Sequence, residues 1–134
     1  PASNNCLDFF REMFLVTALQ KVREDDAAAC DALEVLRMAC VNGAHAMRLP
    51  DCDGLEPGKQ ADLVLLDLHQ PNMQPENHVL KNVVYSGSKQ NVRLTMVAGR
   101  ILYEDGVFYT GCDPERVYAE ANAIIRRMTG SLSF

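Results

Sequence analysis

Histidine is scarce and unclustered: His45, His69 and His78 form no His-x-His pair, and none has a histidine four residues on along a helix. A hydrolytic zinc or iron site needs three or more converging ligands and a position open to water, so these three read as solvated or core residues. Cys-x-x-Cys is absent too. Cysteines at 6, 30, 40, 52 and 112 are odd in number, which suits a reducing cytoplasm better than a disulfide framework. No run approaches the roughly 18 apolar residues of a membrane-spanning helix, and the start, Pro1-Ala2-Ser3-Asn4-Asn5, has neither region of a signal peptide. The 13 Lys and Arg are scattered, with Arg126-Arg127 the only adjacent pair, so nothing concentrates positive charge for nucleic acid or anionic lipid. An initiator Met is also lacking, and the expectation is that the natural chain continues upstream.

What is present is the composition of a soluble globular protein, 48% hydrophobic and 23% charged with a net charge of -5. At 134 residues the chain fits one ordinary domain and can bury about two thirds of its unfolded surface. Asn4 and Asn5 can cap a helix in which Leu7, Phe10, Met13, Phe14, Ala18 and Val22 recur at spacings of three and four. Leu33, Leu36, Met38, Ala39 and Cys40 predict a second helix ending at Asn42-Gly43, and a short third runs from Ala44 to Leu49.

The period changes at Ala61. Leu63-Val64-Leu65-Leu66 reads as a strand covered on both faces, and residues 69–78 as a loop. Val83-Val84-Tyr85, Val92 to Val97, Arg100 to Tyr103 and Val107 to Tyr109 read as a β-meander, with hairpin turns at Ala98-Gly99 and Asp105-Gly106. Asp113-Pro114-Glu115 then starts a helix that runs to about Met128. The order, helices, strands and a last helix, predicts an α+β fold or the tail of a larger protein crossing between domains.

Gly54-Leu55-Glu56-Pro57-Gly58-Lys59-Gln60-Ala61-Asp62-Leu63-Val64-Leu65-Leu66-Asp67 joins a Gly/Pro turn to an apolar strand. This phrase resembles the exit from the catalytic barrel into the accessory β-domain of the metal-dependent amidohydrolases. Pro1 to Asn5 with Leu7-Asp8 and Glu12-Met13 resembles the segment after the last barrel strand in the deaminase and chlorohydrolase branch. Leu36-Arg37-Met38-Ala39 with Asn42-Gly43-Ala44 resembles the closing helix pair, and Val97-Ala98-Gly99-Arg100 with Asp105-Gly106 the return hairpin. One departure is that Gly54 runs directly into Leu55, a loop deletion.

The resemblance implies an α/β parent, a TIM-like barrel with a small β-sandwich, of which this chain is the C-terminal part. Residues 1–53 would be the last barrel helices, 54–112 strands of the sandwich, and 113–134 a terminal helix and tail. It implies a cytoplasmic enzyme, using zinc or iron, in which metal-bound hydroxide displaces ammonia or chloride from a nucleobase-like or triazine-like ring. The family's metal-binding residues have no counterpart here, so the chain itself is expected to hold no metal, to carry no catalytic residue and to be inactive.

Ser3, Asn4 and Asn5 are the substrate-proximal candidates, since loops after barrel strands line the catalytic face; helix capping is the competing role. Cys6, Cys30 and Cys40 read as small buried hydrophobes, and Asp51 and Asp53 disfavour a thiolate at Cys52. Asp62 and Asp67 read as solvated strand ends, and Lys59 as packing across the turn. The missing N-terminal part of the parent is the expected partner. Without it, Phe9, Phe10, Met13 and Phe14 and the sheet edges would be exposed, which predicts self-association. Two alternatives stay open: a non-catalytic binding or oligomerisation module, and another cyclic-amide amidohydrolase.

Overall fold

The computed structural model describes residues 6–130. Helix α1 (Phe9–Glu24) is capped by Asp8, whose side chain accepts from the Phe10 and Arg11 amides; Asn4 and Asn5 lie outside the described residues. It ends at Asp25 in the left-handed conformation. Helix α2 (Ala32–Arg37) is capped by Asp31. The stop expected at Asn42-Gly43 does not occur. Gly43 is right-handed helical (φ -60°, ψ -47°), so α2 runs through a π-helical turn, Met38–Asn42, into α3 (Gly43–Ala46). Asn-Gly ends a helix only where glycine turns left-handed; here that conformation waits until Arg48, φ 59°, just before Pro50.

Strands β1 (Leu63–Leu66), β2 (Val92–Val97), β3 (Arg100–Glu104) and β4 (Val107–Phe108) form one antiparallel sheet in sequence order. Leu65 faces Leu94, Thr95 faces Tyr103, and Tyr103 faces Phe108 with ring centroids 5.2 Å apart. Both hairpins turn where the sequence predicts. Ala98 and Gly99, and again Asp105 and Gly106, have positive φ, the two-residue geometry whose twist matches the flanking strands.

Val83-Val84-Tyr85 corrects the meander reading: it belongs to helix α4 (Val79–Tyr85). A short apolar run does not separate strand from buried helix, and here tertiary packing decides. Val83 and Val84 enter the core with Met13, Ala32, Val35 and Met73, against α1 and α2. Segment 54–112 therefore contains a helix as well as strands. The Asn82 side chain holds the approach to α4 by donating to the Met73 and Pro75 carbonyls (2.7 and 2.9 Å).

The strand covered on both faces is also corrected, because Val64 and Leu65 of β1 are about half exposed. Helix α5 (Pro114–Thr129) starts as predicted, with Asp113 capping the Glu115 amide, and none of its residues is buried. The expected apolar exposure of α1 is present at Phe9 and Phe14, while Met13 is buried and Phe10 packs on the core. Cys30, Cys40, Cys52 and Cys112 are free thiols; Cys40, expected to be buried, is exposed, and Cys6 and Cys30 are half-buried.

Candidate functional site

Polar side chains gather at the two ends of β1, where the helical layer meets the sheet. Asp53 organises the entry. Its carboxylate binds His45 Nε2 at 2.8 Å on one oxygen and the Lys59 ammonium on the other, while Glu56 lies 3.6 Å from the same ammonium. The clasp ties α3 to the Gly58-Lys59 turn, where Gly58 has φ 92°, and the Gln60 amide adds a bond to the Asp51 carbonyl (2.8 Å). Lys59 thus acts across the turn by pairing charge rather than by packing.

Asp62 is more than a solvated strand end. It accepts the Ala98 amide at 2.6 Å, securing the β2–β3 turn against the start of β1, and the Gly99 amide bonds the Ala61 carbonyl alongside (3.0 Å). The Cys52 thiol also bonds Asp62, which pushes its pKa up, assisted by burial and by the charges of Asp62, Asp51 and Asp53. Cys52 therefore stays a thiol at neutral pH, and nucleophilic chemistry finds no support there.

At the exit of β1, Asp67 accepts the His69 amide (2.9 Å) and the Gln70 side chain (3.2 Å), with Arg93 Nη1 at 3.7 Å. Arg93 also pairs with Asp105. Beneath lies Asn91, fully buried. Its side chain donates to the Asp67 carbonyl (3.1 Å), accepts the Ser88 amide (2.9 Å) and forms a reciprocal amide pair with Asn72; Asn72 in turn donates to the Ser86 carbonyl (2.7 Å).

These knots hold carboxylates in their charged forms. Asp53 lies below the usual carboxylate value through Lys59 and then His45; Asp62 through the Ala98 amide and then the Cys52 thiol; Asp67 through the His69 amide and then Gln70. A carboxylate lowered on folding contributes stability above its unfolded value and loses it as pH falls through the folded value. The melting temperature should accordingly hold from pH 7 to about pH 4 and fall below the ordinary value of 3.8. Asp62→Asn should flatten that acid limb in calorimetric scans from pH 7 to pH 2; an unchanged limb would remove Asp62 from this account.

The histidines stand apart. His45 serves Asp53, His78 caps α4 by accepting the Lys81 amide (3.4 Å), and the exposed His69 contributes its backbone to Asp67. Among the described residues no group of three or more His, Cys, Asp or Glu could hold a metal ion, so they do not fit a catalytic zinc or iron. Ser3, Asn4 and Asn5 lie outside the described residues. Among the described residues, too, no helix is long and apolar enough to cross a membrane. Sequence reasoning missed the Asp53 clasp and the Asn72–Asn91 pair. The polar density of residues 69–91 was the available signal, but it is equally the composition of a loop.

The amidohydrolase family model matches residues 1–102. A 5-methylthioadenosine/S-adenosylhomocysteine deaminase of Nitratidesulfovibrio vulgaris, strain Miyazaki F, is 46% identical over 107 residues, covering 80% of this chain and 24% of that protein. A deaminase of the same name from Archaeoglobus fulgidus is 37% identical over 130 residues, covering 97% and 31%. Among solved structures, a zinc-bound adenosine deaminase of Xanthomonas campestris superposes with a TM-score of 0.90 at 35% identity, covering 96% of this chain and 29% of that one. The zinc complex of atrazine chlorohydrolase from Arthrobacter aurescens TC1, at 24% identity and a TM-score of 0.78, shares the fold over 87% of this chain and 26% of its own. The chain thus spans about a quarter to a third of the length of the relatives it matches. With three quarters of its length matched and these identities, it belongs to the amidohydrolase family.

Proposed function

We propose that this chain is the C-terminal structural portion of a metal-dependent hydrolase that cleaves C–N bonds of nucleobase-like rings, and that it is inactive alone. Residues 1–53 would close a TIM-like barrel, 54–112 would supply most of one accessory sheet with α4 folded back on the closing helices, and 113–134 a terminal helix and tail. The metal ligands would come from the remainder of the enzyme. Ser3, Asn4 and Asn5 would approach the substrate, and the free thiols suit a cytoplasmic setting.

One observation carries this reading: 96% of the chain is accommodated by 29% of the adenosine deaminase at a TM-score of 0.90. Purine nucleosides are favoured over triazines by the identities, 46% and 37% to the two deaminases against 24% to the chlorohydrolase.

The test replaces the matching segment of the Archaeoglobus deaminase with this chain. The chimaera should bind zinc and release ammonia from methylthioadenosine with kcat within about tenfold of its parent, because mismatched packing is felt in stability before chemistry. The 134-residue chain alone should release none. Ammonia release by the isolated, metal-loaded chain would overturn the proposal, as would a chimaera that folds and binds zinc but has no activity.

A further inference from the structure

The sheet has little apolar hold on the helices. Among the described residues, the buried cluster is built from α1, α2, α4 and Met73, and of the four strands only β1 reaches it, through Leu66. Leu94, the buried residue of β2, lies outside that cluster. Polar side chains join sheet to helices instead, at the two ends of β1, about 17 Å apart along an extended chain from Asp62 to Asp67.

The two joints differ in strength. At the exit, Asn91 is fully buried, and the Asp67 amide donates to its carbonyl (2.7 Å). Asn72 links Asn91 to the Ser86 carbonyl at the end of α4, and Leu66 and Leu68 pack on the core alongside. Parting this end would strip buried polar groups of their partners, which is costly. At the entry, the side chains of His45 and Lys59 are 54% and 26% exposed, so water can replace either as it leaves Asp53, and ion pairs in such positions contribute little. Residues 54–58, which span the entry, are mostly exposed and can follow a movement.

Two further features say how the sheet would move. The Ala98 amide on Asp62 (2.6 Å) and the Gly99 amide on the Ala61 carbonyl (3.0 Å) fasten the β2–β3 turn to the start of β1, so these parts travel together. Between Leu65 and Leu66 the ladder to β2 is interrupted, with Arg93 as the extra residue, a bulge of the kind at which strands bend. That bend lies next to the Asn91 network.

We propose that the exit is a hinge and the entry a latch: the sheet swings from α3 as a unit while the helical core and the strands stay folded, and Asp53 holds it shut. The chain supplies both sides of the latch, so the 134-residue chain itself is the object to test, independently of the activity assigned above.

Amide exchange resolved by NMR, corrected for the intrinsic rate of each sequence, separates the parts. The Gln60 amide crosses the latch to the Asp51 carbonyl, the Gly99 amide lies within the sheet, and the Asp67 amide lies in the hinge. In the natural chain Gln60 should exchange about tenfold faster than Gly99 or Asp67. Asp53→Ala, which frees both cations, should quicken Gln60 about tenfold more; Lys59→Met, which leaves His45 in place, should quicken it about threefold and decides the matter if the first variant does not fold. Gly99, Asp67 and Val84 of α4 should stay within about twofold. Gln60 unchanged in both variants would overturn the latch. Gly99 quickening with Gln60 would overturn the swing, because the turn would then be fraying by itself. Asp67 and Val84 quickening in step with Gln60 would overturn the hinge, because the fold would then be loosening as one unit.

Discussion

Asn91→Leu is expected to destabilise the fold by about 3 kcal/mol or more, a large part of the 5–15 kcal/mol that an ordinary domain possesses. Leucine keeps the branched skeleton, though it is larger, and leaves the Ser88 amide, the Asp67 carbonyl and the Asn72 side chain without the partner that Asn91 supplies. A buried polar group stripped of its partner costs about 1–3 kcal/mol, and these three lie too close together for the costs to add simply. Asn91 is completely buried, so water cannot replace the lost bonds without opening the structure. Urea unfolding should show a lower midpoint at an unchanged slope. Asn72→Ala, which removes the partner nearer the surface, should cost less. Equal midpoints for Asn91→Leu and the natural chain would remove this network from the stability of the sheet.

Gly87→Ala should rival it, again at about 3 kcal/mol or more, through overpacking. A β-carbon there would fall inside van der Waals contact of the Val83 carbonyl oxygen and 2.9 Å from Cδ1 of Phe10. The ring could rotate away, but the carbonyl belongs to the last turn of α4. A second substitution separates the two clashes: Phe10→Ala added to Gly87→Ala should not restore stability, because the backbone contact remains. Recovery in the double variant would show the ring alone to be at fault. The lesion should spread to α1, whose Phe10 packs on the same core, and amide exchange should quicken first along residues 9–24.

Both positions bear on what was legible beforehand. Asp105-Gly106 and Asp113-Pro114 were readable because their geometry is set within two or three residues: left-handed glycine permits the turn, and an acidic cap with proline starts the helix. The Gly58-Lys59 phrase likewise carried the family resemblance, and the family followed. Val83-Val84 was misread because β-branched residues favour strands only weakly, and a contact with α2, some fifty residues earlier in the chain, outweighs that preference. Asn42-Gly43 failed for the same reason, since a sequence stop signal does not dictate the sign of a glycine's φ. Asn72 and Asn91 lie nineteen residues apart, so their pairing exists only after folding. The Asp53 clasp draws on residues on both sides of the turn, and spacing alone does not reveal which cation a carboxylate selects.

The order of the strands in the sheet has a kinetic side. β2, β3 and β4 are joined by two-residue turns, so their pairing closes short loops, whereas β1 must wait for a detour of twenty-five residues that includes α4. Loop-closure entropy makes the distant pairing the later one. A strand of unbroken aliphatic side chains that docks last is the segment left longest in water while the remainder assembles. In a chain emerging from the ribosome β1 is also made first, so its stickiest stretch precedes its own partner, and Asp62 and Asp67 at its two ends are the charges that keep it apart from neighbours in the interval.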